Sequence, residues 1–191
     1  IIDTSTLQLT YSPNQNFFGT DSFTYQTTDN LGAESNIATV LLTIETVNDN
    51  PLSNDDEAQT DEEVAVVVDV LENDQDIDGQ LVLHSVIVTT EAQFGTTEVS
   101  ASGKITYTPQ LDYAGEDFFI YQVSDDQDGK STAAVYIQIN NINDAPVSVA
   151  ETVSTKEDKA LEIELKGTDP DRDNLIYTLM SEPENGTLTG N

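Results

Sequence analysis

Apolar and polar residues alternate through most of the chain. Leu7-Gln8-Leu9-Thr10-Tyr11, Lys104-Ile105-Thr106-Tyr107 and Ala134-Val135-Tyr136-Ile137-Gln138-Ile139 all set apolar side chains two positions apart. Successive side chains of a strand point to opposite faces, so this period predicts strands with one buried face. Asn, Asp, Gly and Pro interrupt the pattern every ~8–15 residues, and no stretch has helical spacing. Between residues 51 and 145 the pattern predicts about seven strands, near 52–60, 64–70, 81–89, 96–100, 104–108, 118–124 and 132–140. Short strands with turn signals at that spacing predict an all-β, two-sheet Greek-key sandwich. Phe23 and Tyr25, like Phe119 and Tyr121, share a face and are expected in the core.

The pattern recurs. Tyr11-Ser12-Pro13 returns as Tyr107-Thr108-Pro109, and Gly19-Thr20-Asp21-Ser22-Phe23-Thr24-Tyr25 as Gly115-Glu116-Asp117-Phe118-Phe119-Ile120-Tyr121, about 96 positions on. Asn48-Asp49-Asn50-Pro51 returns as Asn143-Asp144-Ala145-Pro146, Glu62 as Glu157, and Asp74, Asp76 and Asp78 as Asp169, Asp171 and Asp173, about 95 positions on. The offsets divide the chain into the second half of one repeat (1–50), a whole repeat (51–145) and the first half of a third (146–191), as expected of a segment cut from a longer protein.

Charge narrows the choice of partners. With 36 Asp and Glu against 6 Lys and Arg, the net charge is -30, which argues against nucleic acid, anionic lipid and acidic substrates. Divalent cations are the natural counter-charge. At 37% hydrophobic residues in regular alternation, the chain has the apolar surface to fold despite its acidity. It has no Cys, so no disulfide can stiffen it, and bound metal is the obvious substitute. No apolar run reaches the length of a membrane span.

The ordered set Pro51, Asp55-Asp56, Glu62, Asn73-Asp74, Asp76, Asp78-Gly79, Gly95-Thr96, Ile105-Thr106-Tyr107-Thr108-Pro109, Gly115-x-Asp117-x-Phe119-x-Tyr121, Ser124-Asp125 and Asn143-Asp144-x-Pro146 resembles the cadherin-like, bacterial Ig-like tandem repeats of large secreted adhesins. The resemblance implies extracellular or cell-surface stalk and adhesion repeats, with calcium bound where repeats meet.

Calcium takes six to eight hard oxygen ligands, which several loops must supply together. In a sandwich whose chain enters at one pole and leaves at the other, Asp74, Asp76 and Asp78 fall at the leading pole with Asp125, Asp126 and Asp128, while Glu62 and Asp117 fall at the trailing pole beside Asn143 and Asp144. Stacking brings a trailing pole against the next leading pole, as in a cadherin linker. The first junction is then expected to draw on Asp21, Asn48, Asp49, Asp76, Asp78 and Asp126 or Asp128, and the second on Glu62, Asp117, Asn143, Asp144, Asp169, Asp171 and Asp173. Thr46 and Asn141 stand where the cadherin linker opens with an Asp. Asp, Asn and Gly also favour turns for local hydrogen-bonding reasons. Several carboxylates at one junction, however, repel by roughly 1 kcal/mol per pair at 4 Å in water and about 4 near a protein surface, so a cation is expected among them. Asp74-x-Asp76-x-Asp78-Gly79 copies the front of an EF-hand loop, but Ser85 replaces its closing Glu and no helices flank it.

Catalysis is not expected. His84 is the only His and sits in a strand pattern, and no Ser lies in a Gly-x-Ser-x-Gly setting. The alternative to a stalk is a recognition module for a glycan, a cell-surface receptor or a like repeat, for which Tyr113 and Phe17-Phe18 are the candidate loop aromatics. The two half-repeats are complementary, so the tail of one molecule is expected to complete the head of the next in a head-to-tail assembly. That assembly would add Glu157 to the first junction and Asp29 or Asn30 to the second.

Overall fold

A computed structural model describes residues 8–190. The strands are β1 (Gly19–Tyr25), β2 (Ala38–Ile44), β3 (Asp56–Asp61), β4 (Val66–Val68), β5 (Ile87–Thr90), β6 (Gly95–Val99), β7 (Ile105–Pro109), β8 (Gly115–Ser124), β9 (Lys130–Asn140), β10 (Val147–Val149) and β11 (Lys166–Thr168). β3 to β9 form a sandwich of a four-stranded sheet, ordered β3-β9-β8-β5, and a three-stranded sheet, ordered β4-β7-β6. β3 runs parallel to β9, while the other pairs in the sandwich are antiparallel.

Alternation sets the core. Asp117, Phe119, Tyr121 and Val123 of β8 point inward, as do Ala133, Val135, Ile137 and Ile139 of β9, and they meet Val68, Val70, Val86, Ile105 and Tyr107. Two buried tyrosines carry their hydroxyls to the poles. Tyr121 shares its one hydroxyl proton between Val70 O and Asp74 Oδ2, each 2.8 Å away, and Tyr107 donates to Asp117 Oδ2 at 2.8 Å. Gly95 makes room for Tyr107, since a Cβ there would overlap the tyrosine ring.

The flanking segments form local ladders. β1 pairs with β2 from Gly19↔Ile44 to Tyr25↔Ala38, the register of Gly115↔Ile139 and Tyr121↔Ala133 in the sandwich. Unusual backbone recurs too: Asn16 and Asp112 have φ of 58 and 54, Glu63 and Asp158 both 61, and Gly32 and Asp128 have 88 and 69. β10 pairs only with β11.

Some expected strands differ. Residues 52–55 pair across a loop, through the Leu52↔Gln75 bridge and the Asn54 N–H donating to Asp74 Oδ1, so β3 begins at Asp56. The expected strand 81–89 breaks into a Leu81↔Asp125 bridge, a 3₁₀ turn over Leu83–Ser85 and then β5. Ser85 Oγ accepts from Ser124 N–H at 2.7 Å, which ties the turn to β8. His84 therefore sits exposed in a turn, not on a strand. Leu7 lies outside the described residues, and residues 9–11 belong to no strand.

Candidate cation sites at two junctions

At the first junction the linker after β2 is tied to the sandwich through side-chain oxygens. Thr46 Oγ1 donates to Asp78 Oδ2 at 2.8 Å, Asp49 N–H to Asp78 Oδ1 at 3.2 Å, and Asn48 Nδ2 to Asp125 Oδ2 at 3.0 Å. Thr46 thus holds the position of the missing linker Asp by a hydrogen bond. Asp76 Oδ1 accepts from the Asp78 and Gly79 N–H groups, and Asp126 Oδ1 from Gln80 N–H at 3.3 Å. Asp125 accepts from Gln127 and Gly129 N–H. Burial pushes its pKa up, but the bonds from Asn48, Gln127 and Gly129 outweigh it and hold the carboxyl below its usual value. A Cβ on Gly129 would collide with Asp125 and come within 2.8 Å of Asn48 Nδ2, so only glycine fits under this contact.

Two acceptors are left over. Asn48 Oδ1 and Asp76 Oδ2 are buried and receive no hydrogen bond. An unsatisfied buried acceptor costs about 1–3 kcal/mol, and a cation at this place would remove the cost. Asn16, Asp49, Asn50 and Asp76 line a hollow of about 450 Å³ beside them.

At the second junction the carboxylates come closer. Glu62, Asp144 and Asp171 offer oxygens within 4.8 Å of one another, and so do Glu63, Asp112 and Asp144. Glu62 is buried, and its Oε1 accepts from Ile142 N–H at 2.6 Å, while Asp171 Oδ2 accepts from Asp144 N–H at 2.7 Å. Desolvation raises the pKa of Asp144, and the charges of Asp112, Asp171, Glu62 and Asp169 raise it further. Asn143, Asp144, Asp169 and Asp173 line a neighbouring hollow of about 290 Å³. Both junctions therefore offer hard oxygens from linker and loops, a donor set suited to calcium.

Other residues expected at the junctions are bonded locally or stand exposed in this chain. Asp117 is buried and takes four donors: Gln93 and Phe118 N–H on Oδ1, Phe94 N–H and Tyr107 Oη on Oδ2. Those bonds occupy its lone pairs, so it braces the fold and belongs to neither carboxylate group at the second junction. Asp21 repeats this role, accepting from Tyr11 Oη at 2.9 Å and its neighbour Ser22 N–H at 2.7 Å. Asp128 is exposed in a left-handed turn, and Glu157 is exposed. Asp29 accepts from Leu31 and Ala33 N–H, in the same kind of turn as Asp125. Glu63 and Asp112 were not expected. Their left-handed backbone places both in turns at the trailing pole, and the adjacency of Glu63 to Glu62 was the available signal.

Sequence comparison gives the geometry its relatives. The family model described as bacterial Ig domain matches residues 1–43, 48–138 and 143–191. The chain belongs to the bacterial Ig domain family. A comparison with curated proteins finds no match. Among solved structures this bacterial Ig chain is similar to human CDH23 EC21-23, at 20% identity and a TM-score of 0.51, over 91% of this chain and 66% of that one. It is also similar to the human Desmocollin-1 ectodomain, at 18% identity and a TM-score of 0.46, over 93% of this chain and 38% of that one. A third similar structure is the endo-fucoidan hydrolase MfFcnA4 from glycoside hydrolase family 107, at 19% identity and a TM-score of 0.39, over 68% of this chain and 20% of that one. The chain thus spans about a fifth of the length of that hydrolase. Family membership and the likeness to CDH23 speak for a cadherin-like and Ig-like β-sandwich fold. Among the described residues, no helix is long and apolar enough to cross a membrane.

Proposed function

We propose that this chain is a non-enzymatic, calcium-binding stalk segment of an extracellular adhesin, in which calcium stiffens the joints between successive repeats divided at 1–50, 51–145 and 146–191. The observation that carries the reading is the convergence of Glu62 and Asp144, from the loops and end of the whole repeat, with Asp171 of the following segment. Without a cation these charges repel and oppose a straight joint. With calcium coordinated by their oxygens, the same groups become the tie. Membership of the bacterial Ig family and the cadherin-like fold support this reading. Extracellular modules of this type hold calcium at about 10⁻⁴–10⁻³ M, suited to the concentration outside cells.

Calorimetric titration together with small-angle scattering tests the proposal. Calcium is expected to bind at both junctions and lengthen the particle, and chelator to shorten and loosen it. Unchanged dimensions in chelator would overturn it.

The partners in this reading are neighbouring repeats, including those of a second copy. Loop aromatics give the glycan and receptor alternative less support. Tyr113 stacks on Phe94 at 4.0 Å, which accounts for it structurally, and Phe17 and Phe18 line a hollow of the first junction.

A further inference from the structure

The outward face of the four-stranded sheet carries a group of side chains that neither the core nor the junctions use. Tyr136 of β9 lies opposite Glu57 of β3 on one side and Phe118 of β8 on the other. The next outward row, two residues along, is Gln59, Gln138 and Glu116. Strand spacing puts neighbours in a row about 4.8 Å apart and the rows about 7 Å apart. The two rings have centroids 6.3 Å apart, tilted by 32°, and Phe118 and Tyr136 are 47% and 50% exposed. Glu57, Glu116, Tyr136 and both glutamines border a hollow of about 550 Å³.

A cross-strand aromatic pair can simply stabilise a sheet. The β1–β2 hairpin weighs against that explanation here, because it forms the same ladder in the same register with Ser22 opposite Leu41 and Thr20 opposite Thr43 at the matching positions. The counterparts of Glu57 and Gln59, about 95 residues on, are Thr152 and Ser154. The fold does not require two rings, two acids and two amides at this place, yet the whole repeat carries them together.

We propose that this face docks a basic segment of a partner protein, with an arginine or lysine side chain lying over the Phe118 and Tyr136 rings between Glu57 and Glu116. A cation is drawn to the negative face of an aromatic ring, and Arg most often. By register Glu57 stands beside Tyr136 in the same row, and Glu116 stands one row on, two residues before Phe118, so each ring has a carboxylate neighbour. Among the described residues the ion pairs are Lys104–Asp69 and Lys166–Glu151, so neither Glu57 nor Glu116 is paired with a cation of the chain itself. The net charge of -30 draws a basic partner from a distance. The site is separate from the calcium junctions and stands without them.

The test is an NMR titration of the full chain, saturated with calcium, using the peptide acetyl-Gly-Arg-Arg-Gly-amide and, separately, cellohexaose. The peptide is expected to shift the backbone amides of residues 116–118 and 136–138 saturably. Phe118→Ser with Tyr136→Leu, the residues β1 and β2 carry there, is expected to weaken binding at least about ten-fold while leaving the other amides in place. Glu57→Gln with Glu116→Gln, which leaves the rings intact, is expected to weaken it several-fold. Shifts spread evenly over the acidic loops and unchanged in both variants would overturn the proposal. So would cellohexaose, and not the peptide, titrating these amides, which would make the face a glycan platform.

Discussion

Asp56 is held against its chemistry. Its Oδ2 is buried without a donor, and burial, with the charges of Asp74, Asp55 and Asp69, pushes its pKa up to about 7, against a bond from Asn73 that lowers it. An acid whose pKa is higher folded than unfolded binds more protons in the folded state. Stability from this group is therefore full below its unfolded pKa and falls as pH rises from about 4 to about 7. Asp56→Asn should raise the melting temperature at pH 8 by a few degrees in chelator, and the gain should vanish near pH 3.5, as thermal melts at the two pH values will read. Gly95 is the opposite case, a residue whose lack of a side chain is used. Gly95→Ala forces a methyl group into the Tyr107 ring and should cost about 1–3 kcal/mol in denaturant unfolding.

Strands were legible where alternation was clean, as in β8 and β9, whose inward residues are all buried. They were not where an apolar run, Leu81-Val82-Leu83, serves a turn tied to β8, because periodicity records which residues seek burial and not which backbone delivers them. The sites show the same division. Matching offsets found Asp144 and Asp171, which come together with Glu62, and Asp76, which lines a hollow with Asp49 and Asn50. They also picked out Asp21 and Asp117, which recur because each braces a tyrosine. Recurrence marks positions under constraint without saying which constraint. Glu63 and Asp112 reach the second junction through left-handed turns that the strand pattern does not register. Because Asp144 belongs to both of that junction's carboxylate groups, Asp144→Asn should weaken calcium binding there at least about ten-fold and leave the first junction's binding step intact in calorimetry.

Across the whole molecule, three of the five strand pairs in the sandwich join its earlier residues to its later ones: β3 to β9, β4 to β7 and β5 to β8. The first and last strands of the repeat also lie side by side and point the same way, paired from Asp56↔Val135 to Asp61↔Asn140. If the chain serves as the proposed stalk, tension along it drags β3 toward one pole and β9 toward the other, so the load falls on this ladder in shear. All its hydrogen bonds then share the force at once, whereas a hairpin pulled open at its end gives way one bond at a time. A tether made of such repeats would resist a sustained pull, with each link yielding only when its entire seam lets go.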